Sequence, residues 1–204
     1  AGGASLRMGE QKALLPVPPV GKPLVVHVIE ALQSLPLSGV VVVANDPAVA
    51  EAVAGRRGVR CVADAWSGSG PRAGIAAGLA TCPGWAAVIG CDMPLVNAAV
   101  IELLAQVAQE TDAAGVRRWD AVVPLIRERT QTMHALYHRD TLPVIEEMLR
   151  SGELSVRAFL ARLRVRYVTE AEFAGVDPAM RSFINVNTPE EWAAVQPLLH
   201  CTSG

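Results

Sequence analysis

The sequence predicts a three-layer α/β/α sandwich with a Rossmann-like, mostly parallel sheet, because short apolar runs alternate with helical patterns along the chain. Several of these runs are apolar at consecutive positions, which is typical of strands that are covered on both faces of a sheet. Strands that alternate with helices connect in parallel, and the helices then cover the sheet. The predicted strands are 40–44, 59–63, 86–90, 121–126 and 165–168.

Helix signals lie between and after these strands. The predicted helices, each with its candidate cap, are 98–110 after Asn97, 142–150 after Asp140 and 192–199 after Thr188. The last helix is introduced by a capping box, in which Thr188 and Glu191 flank a proline at the first helical position. His134 lies four residues before His138, but residues 132–137 have the pattern of a strand and no third ligand is nearby, so a zinc site there is not expected.

The composition is that of one compact domain over residues 1–204. Hydrophobic residues make up 51% of the chain and charged residues 19%, which excludes a disordered protein. The net charge is −2, and Arg162, Arg164 and Arg166 read as the solvated face of a strand. We therefore expect no nucleic-acid partner.

Cysteine usage and the absence of long apolar runs bear on the compartment. The four cysteines are far apart and none forms a C-x-x-C pair, which favours a reducing compartment and argues against structural zinc. No apolar run approaches about 18 residues and no signal peptide is evident. We expect a cytoplasmic protein without a membrane partner.

The first motif that indicates chemistry is GGASLRMGEQK, at residues 2–12. Glycines let main-chain amides approach phosphate oxygens, while Arg7 offers a bidentate fork and Lys12 a point charge. By composition alone the segment is equally a glycine-rich turn with two solvated cations. A phosphate-binding glycine turn normally follows a strand, so we expect several apolar residues ahead of Ala1 in the natural chain.

Two carboxylates follow predicted strands. Asp92 comes after the strand 86–90, and ligands in open α/β sheets bind beyond the carboxyl ends of strands. A carboxylate there suits Mg²⁺, which takes one or two protein oxygens together with phosphate oxygens and waters. Asp64 follows another short strand, ahead of a glycine-rich loop. The alternatives are a turn or helix-capping role for Asp92 and an Asx-turn for Asp64.

Five segments, in order, resemble the signature of the molybdenum cofactor guanylyltransferases, a group within the nucleotide-sugar-type pyrophosphorylases. They are AGGASLRMGEQKALL at 1–15, VVVAN at 41–45, DAWSGSGPRAG at 64–74, GCDMP at 90–94 and NVNTPE at 185–190. The resemblance covers nearly the whole chain. It implies a fold of the nucleotide-diphospho-sugar transferase type and transfer of GMP from GTP to molybdopterin, with Mg²⁺ as cofactor.

The resemblance also implies roles for individual residues. Catalysis is expected from Arg7, Lys12 and Asp92, with Asp92 as the metal ligand. The expected nucleotide-binding residues are Ala1, Gly2, Gly3, Lys12, Asn45, Asp64 and Asp92, and the expected acceptor-binding residues are Arg72, Asn185 and Asn187. Arg72 stands in a loop where the family usually has Leu, so it either reaches an acceptor phosphate or points into water. One of the two asparagines could instead only fix the loop ahead of the capping box.

Three other functions stay open at this point. The first is a cytidylyltransferase that acts on the same pterin; such relatives usually have A-A-G where this chain has Ala1-Gly2-Gly3. Gly2 and the G-P-x-A-G segment favour guanine as the base. A sugar-phosphate nucleotidyltransferase of the same fold fits the GCDMP and NVNTPE segments less well. A nucleotide-binding carrier without turnover would not need Arg7, Lys12 and Asp92 together. The family also implies transient contacts with cofactor-biosynthesis proteins or recipient enzymes.

Overall fold

The computed structural model of the protein describes residues 11–66, 70–153 and 155–199. The strands are β1 (Pro16–Val17), β2 (Lys22–Pro23), β3 (Val40–Val43), β4 (Val59–Val62), β5 (Trp85–Ile89), β6 (Ala121–Ile126), β7 (Arg129–Thr130), β8 (His134–His138) and β9 (Val165–Thr169). The helices are α1 (Leu24–Gln33), α2 (Pro47–Val53), α3 (Pro71–Leu79), α4 (Ala98–Ala108), α5 (Leu142–Arg150), α6 (Val156–Ala161), α7 (Glu170–Phe173) and α8 (Pro189–Leu199). None of the helices formed by these residues is both long and apolar enough to cross a bilayer.

The described chain divides into two compact units. The first comprises residues 11–63, 90–98 and 181–199, and the second comprises residues 64–89 and 99–180, apart from the undescribed positions within them. The expectation of a single domain over residues 1–204 stays a prediction.

In the first unit, β3 and β4 form a parallel pair whose register runs from Val40 opposite Val59 to Val43 opposite Val62. Helices α1 and α2 bury apolar faces against this pair, and six of the ten residues of α1 are buried aliphatic side chains. The cluster they form consists of Ala13, Val25, Val26, Ile29, Val42, Ala44, Val49 and Val53. Because Ala13 is fully buried here, the chain next to Lys12 is fixed by the core of this unit.

In the second unit, five strands form one sheet in which β8 lies between β5 and β6. Strand β8 is antiparallel to both neighbours, whereas β9 pairs with β6 in parallel. Hence β5, β6 and β9 run in the same direction, and the α/β fold with a mostly parallel sheet is confirmed. The inserted antiparallel strand is a departure from a uniformly parallel sheet. Tyr137 on β8 and Phe159 on α6 are fully buried in the core of this unit.

Except at the start of β8, which lies two residues after the predicted one, the predicted strand ends agree with the structure to within one residue. The ranges 121–126 and 142–150 agree at both ends. The cap assigned to α5 was wrong. Thr141 is the N-cap of this helix, and Asp140 lies in a 3-10 turn ahead of it. The carboxylate of Asp140 instead accepts a hydrogen bond of 2.8 Å from Arg117 Nη2, which competes with capping.

Candidate active site

Lys12 contacts two other predicted site residues, Asp92 and Asn187, and the three residues all belong to the first unit. It begins a short 3-10 turn, Lys12–Leu14, whose next residue Ala13 is buried. The Nζ atom donates a hydrogen bond of 2.7 Å to Asn187 Oδ1 and lies 3.6 Å from Asp92 Oδ2. A cation, a carboxylate and an amide oxygen therefore meet at one place, although they are distant in sequence.

Asp92 lies in a turn three residues beyond the end of β5. Its side chain is 27% exposed and that of Lys12 is 19% exposed, so both are accessible but partly desolvated. The carbonyl oxygen of Asp92 accepts a hydrogen bond of 2.9 Å from Val186 N, which fixes the main chain at this point. Burial raises the pKa of the neighbouring Cys91 thiol, so this sulfur stays protonated and offers no nucleophile.

The segment that carries Asp92 is held at two further points. On α1, Nε2 of His27 lies 2.9 Å from the carbonyl oxygen of Pro94. The hydroxyl of the fully buried Ser182 accepts a hydrogen bond of 3.0 Å from Asn97 N. Side chains from two other parts of the unit thus position the turn without contacting its carboxylate.

Asn185 and Asn187 flank Val186, which is fully buried. Asn187 is half-buried and binds Lys12, whereas Asn185 is exposed. The acceptor-binding role expected for these two residues stays a prediction. The structure adds a function for Asn187 that the sequence did not indicate, because its amide oxygen holds the ammonium group of Lys12.

The capping box at the start of α8 is present as the sequence predicted. Oε2 of Glu191 accepts a hydrogen bond of 3.2 Å from Thr188 N, and Glu191 N donates one of 3.2 Å to Thr188 Oγ1. The same Oε2 also accepts a hydrogen bond of 2.6 Å from Asn187 N. Sequence reasoning recognised the cap but missed this second contact.

Asp46 is a second residue that sequence reasoning missed. Its Oδ1 accepts a hydrogen bond of 2.9 Å from Ala48 N and caps α2, while its Oδ2 accepts one of 3.1 Å from Gln11 Nε2. Both hydrogen bonds lower the pKa of the Asp46 carboxyl, and the bond from Gln11 has the larger effect. The signal was available, since an Asp directly ahead of a proline is typical of a helix start. Asn45, just before it, is exposed at the end of β3, and its predicted nucleotide contact is untested.

In the second unit, Asp64 forms an Asx-turn, the alternative that the sequence left open for this residue. Its Oδ1 accepts a hydrogen bond of 2.8 Å from Trp66 N, the geometry of an Asx-turn. This bond leaves the predicted nucleotide contact of Asp64 untested.

Arg72 lies in the first turn of α3 rather than in a loop, and its side chain is buried at 2% exposure. The expectation that it points into water is therefore wrong. Its guanidinium donates a hydrogen bond to the carbonyl oxygen of Glu153, since a buried charge requires partners. The predicted contact of Arg72 with an acceptor stays a prediction.

The histidines and arginines singled out in the sequence take part in the packing of the second unit. Burial lowers the pKa of His134 to about 3, so this side chain is neutral at physiological pH. His134 lies on strand β8, as predicted, and the strand also includes His138, one residue beyond its predicted end. The prediction that Arg162, Arg164 and Arg166 form one face of a strand was wrong for two of them, because Arg162 is the C-cap of α6 and Arg164 precedes β9. Each is paired locally: Arg162 with Glu147, Arg164 with Asp120 and Arg166 with Glu172.

Four predicted site residues, Ala1, Gly2, Gly3 and Arg7, lie outside the residues that the structure describes. Their predicted contacts with the nucleotide stay predictions.

Comparison with protein families gives a match over most of the chain. The family described as "MobA-like NTP transferase domain" matches residues 1–168. A protein of Bacillus licheniformis named as a probable molybdenum cofactor guanylyltransferase is 32% identical over 200 residues, which are 97% of this chain and 94% of the relative. A protein of Bacillus cereus with the same name is 34% identical over 202 residues, covering 96% of this chain and 92% of the relative.

A solved structure shows the same similarity in three dimensions. The crystal structure of molybdopterin-guanine dinucleotide biosynthesis protein A from Archaeoglobus fulgidus superposes with a TM-score of 0.79 at 27% sequence identity. The match covers 98% of this chain and 96% of that one. Sequence and structure therefore point to the same family.

Proposed function

This chain belongs to the MobA-like NTP transferases, and from that premise we propose that it transfers GMP from GTP to molybdopterin and releases pyrophosphate. The relatives that match nearly the whole length of the chain carry names that state a guanylyltransferase activity or the corresponding product.

The observation that carries the proposal is the contact of Lys12 with both Asp92 and Asn187. A triphosphate needs a cation that neutralises its oxygens, and Lys12 supplies one on a turn anchored by the buried Ala13. The amide of Asn187 orients the ammonium group without neutralising it. The carboxylate of Asp92 is the hard oxygen ligand expected beside a nucleotide.

The residues present fit a magnesium ion. Asp92 offers a carboxylate that is 27% exposed, and Mg²⁺ commonly binds through one or two carboxylates while phosphates and waters complete its coordination. Among residues 11–66, 70–153 and 155–199, no three His, Cys, Asp or Glu side chains cluster as a metal cage would require. A site of this kind suits a metal that arrives with the triphosphate, and Asp92 would hold it.

The reaction requires positioning and charge neutralisation more than proton transfer. A terminal phosphate oxygen of the acceptor attacks the α-phosphorus of GTP in line and forms a new P–O bond. The bond between the α-phosphorus and the oxygen that bridges it to the β-phosphorus breaks. The electron pair of that bond leaves with pyrophosphate. The nucleophile is already anionic at neutral pH, so no strong general base is needed. Bound Mg²⁺ would supply further charge neutralisation, while Lys12 and Arg7 hold the phosphates.

The test is pyrophosphate release by the purified chain with molybdopterin or, in parallel reactions, a sugar 1-phosphate as acceptor. GTP, CTP and ATP are compared at equal concentration, each with Mg²⁺ and with a chelator. We expect turnover with GTP in the presence of Mg²⁺, well above that with CTP or ATP.

Each rival function gives a different result in this assay. Faster turnover with CTP indicates a cytidylyltransferase on the same pterin, and turnover only with a sugar phosphate indicates an acceptor of the other class. Tight GTP binding without pyrophosphate release under any condition indicates a carrier. Any of these three results would refute the proposed function.

A further inference from the structure

The carboxylate of Glu191 makes a contact that a helix cap alone does not require. In an ordinary capping box this carboxylate accepts a hydrogen bond from the N–H of the cap residue, here Thr188. That bond is present at 3.2 Å, but the shorter one, of 2.6 Å, comes from Asn187 N, one residue earlier. The closest partner of Glu191 is therefore the residue whose side chain binds Lys12.

Asn187 is fixed through two consecutive main-chain amides that precede its side chain. Its own N–H is held by Glu191, and the preceding N–H, of Val186, is held by the carbonyl oxygen of Asp92 at 2.9 Å. With both amides bound, the side chain of Asn187 leaves the main chain at a fixed position. Its Oδ1 then accepts the 2.7 Å hydrogen bond from Lys12 Nζ.

The helix that carries Glu191 provides a stable base for this contact. Trp192 and Val195 of α8 are buried, at 8% and 4% exposure, so the first turns of the helix are anchored in the unit. Glu191 itself is exposed and contributes little to the core. Its contribution therefore lies in the hydrogen bonds of its carboxylate.

We propose that Glu191 is a positioning residue for the triphosphate site: it fixes Asn187, and through Asn187 it sets the position of the Lys12 ammonium group. The inference rests on the proposed function, in which Lys12 binds the phosphates of GTP. It assigns to Glu191 an effect on nucleotide affinity beyond its effect on the stability of α8.

The test compares Glu191→Ala with Thr188→Ala by calorimetric titration of GTP without acceptor, paired with thermal melts. Thr188→Ala removes the other half of the capping box, the hydroxyl bonded to Glu191 N, and leaves the contact between Glu191 and Asn187. Both variants should lower the melting temperature to a similar extent. Only Glu191→Ala should weaken GTP binding, by about three- to tenfold, the effect of one hydrogen bond. Glu191→Gln retains an acceptor oxygen and should restore most of the affinity. Glu191→Met, which keeps the length of the side chain without an acceptor, replaces Glu191→Ala if that variant fails to fold.

A double-mutant cycle with Lys12→Ala separates positioning from capping. If Glu191 acts through Lys12, then Glu191→Ala should cause no further loss of affinity in the Lys12→Ala protein. An equal loss in both backgrounds, or equal GTP affinities of the Glu191→Ala and Thr188→Ala proteins, would overturn the inference.

The same data distinguish this inference from the proposed function. If Lys12→Ala weakens GTP binding and Glu191→Ala does not, positioning by Glu191 is refuted while the assignment of Lys12 stands. If Lys12→Ala binds GTP as tightly as the unaltered protein, the assignment of the triphosphate to Lys12 fails, and positioning by Glu191 fails with it.

Discussion

Replacing Asp92 by Asn removes the carboxylate charge at nearly constant shape and tests the centre of the proposed site. The ion pair with Lys12 spans 3.6 Å between partly exposed side chains, so its loss should cost less than about 1 kcal/mol of folding stability. The hydrogen bond from Val186 goes to the main chain of Asp92 and is retained. Loss of the metal's charge stabilisation in the transition state should cost about 3 kcal/mol, or roughly 10²-fold or more in turnover.

The difference between these two magnitudes makes the experiment decisive, because unfolding cannot account for a hundredfold loss of activity in a protein that still melts normally. Pyrophosphate release is measured over a Mg²⁺ titration and paired with a thermal melt. Glu30→Gln is the control, since Glu30 is a carboxylate of the same unit that pairs with Lys22 at 2.6 Å. A folded Asp92→Asn protein with near-normal turnover would show that the metal ligand is another residue.

Two further predictions concern the second unit. Hydrogen bonds from Arg164 hold the pKa of Asp120 at about 2, below its ordinary 3.8, so this carboxylate stabilises the fold above pH 3.8 and loses its effect as pH falls through about 2. Asp120→Asn should therefore lower the free energy of unfolding by about 1 kcal/mol at pH 7 after solvent screening. In urea melts, this difference from the unaltered protein should be smaller at pH 3 than at pH 7. Arg72→Ala should destabilise by about 3 kcal/mol, because it leaves a cavity and removes a donor from the Glu153 carbonyl, whereas Arg157→Ala, at an exposed position, should not. A raised KM for the acceptor with an unchanged melt would instead assign Arg72 to the acceptor site.

Local sequence patterns predicted the buried strands well, because period and side-chain type are local properties. They did not predict the direction of β8, since direction depends on which strands become neighbours in the sheet. The start of helix α3 was interpreted as a loop because residues 70–74 resemble the G-P-x-A-G loop of the family. In the structure Gly70 has a positive φ of 70° and precedes the helix, and Pro71 occupies its first turn, where proline is tolerated.

The candidate site was predictable to the extent that single residues indicate chemistry. Lys12 and Asp92 were identified by residue type and by position after a glycine-rich segment and a strand. The hydrogen bond from Lys12 to Asn187 was not predicted from the sequence, because it joins residues 175 positions apart and no local pattern specifies such a pair. The Glu191 carboxylate was assigned to the cap because the spacing of a capping box accounts for it without a further partner.

The separation of Lys12 from Asn187 has a consequence for the growing chain. Ribosomes add roughly 5–20 residues per second, so about 10 to 35 s pass between synthesis of the lysine and synthesis of its partner. All residues of the second unit, up to 180, are synthesised during that interval, whereas residues 181–199 complete the first unit only at the end of synthesis. The apolar core around Tyr137 and Phe159 can therefore form before Asn187 leaves the ribosome and binds Lys12. We expect productive GTP binding to be among the last properties that the nascent protein acquires.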